Sequence, residues 1–172
     1  ELNKDSFTGY RRLEKLVLRK LNRIKWVSND CLGVLRYLKH LRIQSWPQAD
    51  GLDLRLLLSG LLLRTVEIEV IERLLKNQIH NAFSKRLREL TITGEELEAI
   101  SAEAFSTIKA GELILRIKNT HVRRLQSDIF LSLARRMTQL TLDLRDNHIN
   151  ELSPSVIYGN LSWETVGTNL VS

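Results

Sequence analysis

Cysteine, proline and aromatic residues are all scarce in this chain, and each scarcity rules something out. Cys31 is the only cysteine among 172 residues, so an intrachain disulfide is impossible. A lone thiol says nothing about redox compartment, because a longer protein can carry its cysteines elsewhere. Two prolines argue against long loops with stiff corners. Aromatic side chains make up 6% of the residues, so leucine supplies much of the 43% apolar content. An interior dominated by one side chain suits repeated identical layers better than a single irregular core. Long hydrophobic runs are missing too. The longest, residues 56–63, is interrupted by Ser59 and Gly60 and falls well short of the roughly 18 residues that a membrane-spanning helix needs.

Acids are scarce at one end only. The net charge is +6, yet residues 1–45 hold eleven Lys or Arg against four acids, which leaves the remainder about neutral. Such an end suits an anionic partner, whether an anionic glycan, a nucleic acid or an acidic protein. It equally suits a solvated face that keeps the chain soluble.

What the chain does contain is a period. The pattern L-x-x-L-x-L begins at Leu13 (with Leu16 and Leu18) and again at Leu38 (with Leu41 and Ile43). It returns as Leu63, Val66, Ile68 and as Leu87, Leu90, Ile92. Two later copies begin at Glu112 and Gln139 and keep Leu115 with Ile117 and Leu142 with Leu144. The starts near 13, 38, 63, 87, 112 and 139 lie 25, 25, 24, 25 and 27 residues apart. Places further along repeat as well: Leu97 with Ile100, Val122 with Leu125, Ile149 with Leu152, then Phe105, Phe130 and Tyr158. Residues 139–152, QLTLDLRDNHINEL, are the fullest copy.

This pattern resembles the leucine-rich repeat family, over essentially residues 2–163. Units of this length with a late Phe are similar to the extracellular class, as in Toll-like, Slit-like and chaoptin-like ectodomains. The resemblance implies an α/β leucine-rich repeat solenoid, with a curved parallel sheet on the concave side and turns or short helices on the convex side. It implies that residues 1–172 form one leucine-rich repeat domain excerpted from a longer protein. The polar first residues show no signal peptide, which counts for little in an excerpt.

The ninth place of a unit is normally Asn, whose side chain satisfies turn backbone groups. Here the place holds Leu21, Trp46, Ile71, Glu95, Thr120 and Asn147, so only the sixth unit keeps the rule. Turns elsewhere must be built differently. The spacing of Ile71, Leu74, Leu75, Ile79 and Phe83 predicts a helix over 70–84. Asp53 marks the start of a second helix within 53–63. Looser turns are expected in units four to six.

Groups that converge for catalysis are hard to find. His40, His80, His121 and His148 read as falling at different places in four units, which gives no metal-ligand spacing. Cys31 occupies the place of Phe105 and Phe130 and reads as a small core residue. Glu95, Glu96 and Glu98 follow Gly94 in a turn and read as solvated. Phosphate loops, hydrolase elbows and zinc-finger spacings are absent. The expectation is a protein that is no enzyme and needs no cofactor or metal.

The remaining surface is the outward side of the strands, where one residue per unit forms columns roughly 5 Å apart. One column runs Val17, Arg42, Glu67, Thr91, Arg116, Asp143; its neighbour runs Arg19, Gln44, Glu69, Thr93, Lys118, Arg145. A third begins Lys15, His40, Thr65. A docking face for a protein ligand or co-receptor would use Lys15, Arg19, His40, Arg42, Glu67, Glu69, Arg116, Lys118, Asp143 and Arg145. Arg42 and Glu67 are placed to form an ion pair. Trp46 is either a core plug or an aromatic anchor at the edge of that face. Asn160, in Asn160-Leu161-Ser162, is a glycosylation sequon. The whole reads as an extracellular or cell-surface interaction module of a receptor or adhesion protein, open to homophilic contact. The alternatives are an intracellular adaptor or immune sensor in the cytoplasm, and an anion-binding module built on the basic units.

Overall fold

A computed structural model describes residues 1–46, 53–126 and 128–152. Short 3-10 turns at Thr8–Tyr10 and Leu21–Arg23 flank β1 (Lys15–Leu18), and β2 (His40–Ile43) follows. Next come α1 (Leu54–Leu57), β3 (Thr65–Glu69), β4 (Leu74–Leu75), β5 (Glu89–Gly94) and β6 (Ala99–Ile100). The chain continues through β7 (Glu112–Thr120), β8 (Arg124–Leu125), α2 (Asp128–Ala134), β9 (Gln139–Asp143) and β10 (Glu151–Leu152). The class is α/β, dominated by parallel strands.

Six strands, β1, β2, β3, β5, β7 and β9, form one parallel sheet in that order, so each lies beside its successor in the chain. Parallel neighbours need a crossover, and the residues between successive strands supply it. On the way back, β4 pairs with β6 and β8 with β10 in two smaller parallel ladders.

The alternation of leucine with polar residues fixes the register. In β7, Leu113, Leu115 and Ile117 are buried while Ile114, Arg116 and Lys118 are half-exposed. A slip by one residue would exchange the two sets, so burial locks the pairing. Leu16, Leu41, Val66, Leu90, Leu115 and Leu142 accordingly lie in one row across the sheet. A repeated hydrogen-bond fork reinforces it. The carbonyl of Glu14 accepts from the N–H groups of Lys39 and His40, that of Lys39 from Arg64 and Thr65, and that of Arg64 from Arg88 and Glu89.

The core lies between the main sheet and the returning segments. Ile43, Ile68, Ile92 and Ile117 meet Leu75, Ile100, Phe105, Leu125 and Phe130 in one continuous buried cluster. Phe105 and Phe130 stack with centroids 6.2 Å apart. Cys31 is fully buried in this cluster, and desolvation pushes its thiol up to about 11.

Five of the six main-sheet strands, all but β3, lead into a corner with an unusual backbone. Lys20, Ser45, Asn119 and Asp146, two residues beyond Leu18, Ile43, Ile117 and Leu144, all have φ between 54° and 59°. Gly94, two residues beyond Ile92, has φ 149°. L-residues rarely occupy this region, and Asn, Asp and Gly do so at least cost. At Gly94 the requirement is also steric, because a Cβ there would stand 2.0 Å from the Val70 carbonyl oxygen. The β5–β7 register shifts by one residue at this point, with Ile92 opposite Ile117 but Gly94 opposite Thr120. This is a β-bulge.

The return segments differ from the sequence-based expectation in three places. Residues 70–84 are not helical: Leu74–Leu75 is a strand, and the Arg73 and Leu75 carbonyls accept from Glu98, Ala99 and Ser101 of the next segment. Those carbonyls would otherwise close helical turns, so inter-segment bonds replace local ones. Gln78 completes the turn, accepting from Lys76 N–H at 2.6 Å and donating to the Leu74 carbonyl at 2.8 Å. The helix beginning after Asp53 does form, with Asp53 accepting from Arg55 N–H at 2.9 Å, but it spans only Leu54–Leu57. Gly60, at φ 76°, follows in the turn that redirects the chain. The segment after β8, expected to be a looser turn, instead carries α2, the longest helix among the described residues. Its unit is also the longest by spacing, and Ile129, Phe130 and Leu133 bury one helical face.

Asn147 serves the role its place implies. It donates to the carbonyls of Ile117 (2.5 Å) and Leu144 (2.8 Å) and accepts from Thr120 N–H (3.2 Å) and Oγ1 (2.8 Å). Trp46 is buried among the core side chains, which makes it a plug and removes it as an exposed edge anchor.

Candidate functional site

The outward face of the main sheet carries the charged columns in register. Lys15, His40, Thr65, Glu89, Ile114 and Thr141 stand side by side, as do Val17, Arg42, Glu67, Thr91, Arg116 and Asp143. Side chains on one face of adjacent strands interact across the short inter-strand gap, so this face is a lattice of near neighbours.

The lattice divides into two ends. Over β5, β7 and β9 the charges are largely satisfied within the sheet. Arg116 bonds Glu89 at 2.8 Å and approaches Asp143 at 3.9 Å. Arg145 clamps Asp143 with two contacts, Nε to Oδ1 at 2.8 Å and Nη2 to Oδ2 at 2.6 Å. Those side-chain hydrogen bonds hold the Asp143 carboxyl below the usual aspartate range, although burial opposes the shift. Asp143 is 9% exposed, so it holds Arg145 and Arg116 in place and offers little to an incoming molecule. Lys118 stands half-exposed on β7.

Over β1, β2 and β3 the face is open and less satisfied. Lys15, Arg19 and His40 are exposed, and Lys15 and Arg19 have no ion-pair partner among the described residues. Arg42 meets Glu67 at 3.0 Å, the ladder pair that the columns predict. The Arg42 Nε is buried and has no partner. Glu69 turns toward the preceding corner, where its carboxylate accepts from the Ser45 N–H and from Ser45 Oγ at 3.4 Å. That contact makes Glu69 a prop for the left-handed Ser45. An open groove of about 420 Å³ runs over these three strands, with Lys15, Val17, Arg19, His40, Arg42 and Glu67 among its lining. Of the residues named from sequence, Lys15, Arg19 and His40 are therefore an exposed basic group, Arg42 with Glu67 and Arg116 with Asp143 and Arg145 neutralise one another, Glu69 is tied to Ser45, and Lys118 has no ion-pair partner among the described residues. Asn160 lies outside the described residues.

Glu95, Glu96 and Glu98 are exposed, and Glu98 pairs with Arg73 at 3.7 Å. His40 and His80 stand apart. His121 and His148 do not fit the sequence reading, which placed them at different points of their units. Thr120 bridges Asn147, so the two histidines that follow occupy equivalent places, and their rings stack 5.2 Å apart. The signal in sequence was their identical offset from Ile117 and Leu144. Among the described residues no cluster of three or more His, Cys, Asp or Glu is arranged to hold a metal. No helix among them is long and apolar enough to cross a membrane.

The chain resembles chaoptin. It is 27% identical to chaoptin of Tribolium castaneum over 119 residues, 67% of this chain. The match covers 14% of that protein, so this chain corresponds to a small part of its relative's length. No family model matches the chain.

Proposed function

We propose that this chain is a run of leucine-rich repeat units in a solenoid, non-enzymatic, and part of an extracellular or cell-surface adhesion or receptor protein. Its task is to dock another protein against the outward face of the main sheet, at the end formed by β1, β2 and β3. The observation that carries this reading is the groove where Lys15 and Arg19 have no ion-pair partner among the described residues, while Glu89, Arg116, Asp143 and Arg145 further along the sheet neutralise one another. A surface that satisfies its own charges gains little from a partner, whereas unpaired cations on a preformed concavity gain Coulombic attraction and a faster encounter. The leucine spacing and the similarity to chaoptin support the repeat assignment and the cell-surface setting, since chaoptin-like ectodomains are one of the classes the repeat resembles. The scattered titratable groups support a binding role over a catalytic one.

The test is an aggregation assay with cells displaying the full protein. Lys15→Glu with Arg19→Glu is expected to reduce adhesion severalfold, and Lys76→Glu, away from the main sheet, to leave it unchanged. Equal loss from both, or from neither, would overturn the placement. Unpaired cations also favour a second reading, an anionic glycan on the same groove. Steep loss of binding with added salt, and competition by a soluble sulfated glycan, would identify it.

A further inference from the structure

We propose that His121 and His148 form a binding site for a divalent transition-metal ion of the imidazole-preferring kind, Zn²⁺ foremost. Neither ring has a part in the docking groove, which lies over strands at the opposite end of the sheet.

Three observations converge on the pair. First, the sheet brings them together: Gly94 lies opposite Thr120 and Thr120 bridges Asn147, so Glu95, His121 and His148 follow one another in a single column. The rings lie 5.2 Å apart and within 9° of parallel. Two imidazoles on one tetrahedral ion, with metal–nitrogen bonds of about 2.0–2.1 Å, have centroids about 5 Å apart, so the separation fits shared ligation once the His148 ring turns out of the parallel stack to point a nitrogen at the ion. Second, a backbone contact assigns the tautomer of His121. Its Nδ1 contacts the Glu95 carbonyl oxygen, which can only accept, so Nδ1 carries the proton and Nε2 of the neutral ring presents a lone pair. A backbone carbonyl on the far nitrogen is how proteins orient metal-binding histidines. Third, both rings are exposed, so an ion and its remaining waters can enter. Of the nearby cations, Arg145 is engaged on Asp143 and Arg124 on Glu151 while Arg123 is exposed, and Glu95 and Asp146 add exposed negative charge beside the pair.

The ion would take Nε2 of His121, one nitrogen of His148 and water in its open positions. Imidazole ligands suit Zn²⁺, Cu²⁺ and Ni²⁺ over Mg²⁺ or Ca²⁺. Binding joins two neighbouring segments at the end of the main sheet, so it stabilises their contact as any ligand of the folded state does.

The experiment titrates the full protein, stripped with chelator, with Zn²⁺ and counts the equivalents bound. His121→Gln and His148→Gln are each expected to bind one equivalent fewer than the parent, and His80→Gln the same number as the parent. Circular dichroism checks that the variants keep the fold, which substitution of exposed rings should preserve. Lowering the pH should release the ion, because protons compete for the same nitrogens. Unchanged stoichiometry in both pair variants would overturn the site, as would an equal loss in His80→Gln.

Discussion

Gly94→Ala is the substitution whose cost the structure specifies best. An alanine Cβ at this position would lie 2.0 Å from the Val70 carbonyl oxygen, 3.0 Å from its carbonyl carbon and 3.3 Å from its nitrogen. Carbon–oxygen contacts rest at about 3.3–3.6 Å, so the neighbouring backbone must retreat by more than 1 Å. That backbone is not free to retreat, because Val70 N–H donates to the Thr93 carbonyl at 2.7 Å and Val70 itself is fully buried. Holding alanine at φ 149° adds backbone strain. Strain of about 1–3 kcal/mol, overpacking of about 1–3 and a lost hydrogen bond of about 0.5–1.5 do not simply add. Together they suggest a loss of roughly 3–5 kcal/mol, a large share of a typical domain's stability. Gly111→Ala is the control, since a Cβ there meets nothing within 4 Å and the change should stay within about 0.5 kcal/mol. Urea denaturation of both variants measures the difference, with hydrogen exchange at Val70 and Leu97 reporting the local damage. A Gly94→Ala midpoint equal to that of Gly111→Ala would refute the close approach of the two segments.

Two further outcomes follow from the charged and buried groups. Arg145→Met should lower the denaturation midpoint at neutral pH by stripping Asp143 of its clamp. Because the folded carboxyl is held below its ordinary value, the stability it contributes is present above about pH 4 and lost as pH falls, so the deficit of the variant should shrink in acid. Cys31 should resist alkylation at pH 8 in the folded protein and react on unfolding, because burial leaves about a hundredfold less thiolate than an ordinary thiol has and also blocks the reagent's approach. Its raised value also means that stability is intact below pH 9.0 and is eroded as pH rises toward about 11; the pH dependence of the urea midpoint reads this directly.

The strands were legible because a period-two alternation repeated at near-constant spacing leaves one way to bury the leucines. The ion pair of Arg42 with Glu67 could be read from the same columns. The return segments were not legible, for a physical reason. Ile71, Leu74, Leu75 and Ile79 fit a helical stripe, but the spacing cannot reveal that the Arg73 and Leu75 carbonyls have partners one segment away. The helix at Asp128–Ala134 was hidden by the opposite error, since only the extra length of its unit hinted at room for it. The left-handed corners at Lys20, Ser45, Asn119 and Asp146 share no residue type, so no motif marks them. In the candidate site, sequence located the basic end but could not show that Asp143 and Arg116 are consumed by each other and their neighbours, or that Glu69 supports Ser45. The histidine pair was missed through an error of register rather than for want of signal.

The claim on which everything else rests is that successive segments lie strand beside strand in the stated register, creating the columns and the groove. Disulfide trapping tests it directly. Thr65 lies opposite Glu89 in the β3–β5 pairing, and Thr91 is two residues further along β5. In-register Cα atoms on adjacent strands are about 5 Å apart, within reach of a disulfide, whereas the diagonal pair is about 8 Å apart and out of reach. Mild oxidation of Thr65→Cys/Glu89→Cys should therefore form a disulfide, identified by peptide mass mapping, while Thr65→Cys/Thr91→Cys stays reduced. Trapping of the diagonal pair alone, or of neither, would contradict the register and with it the groove.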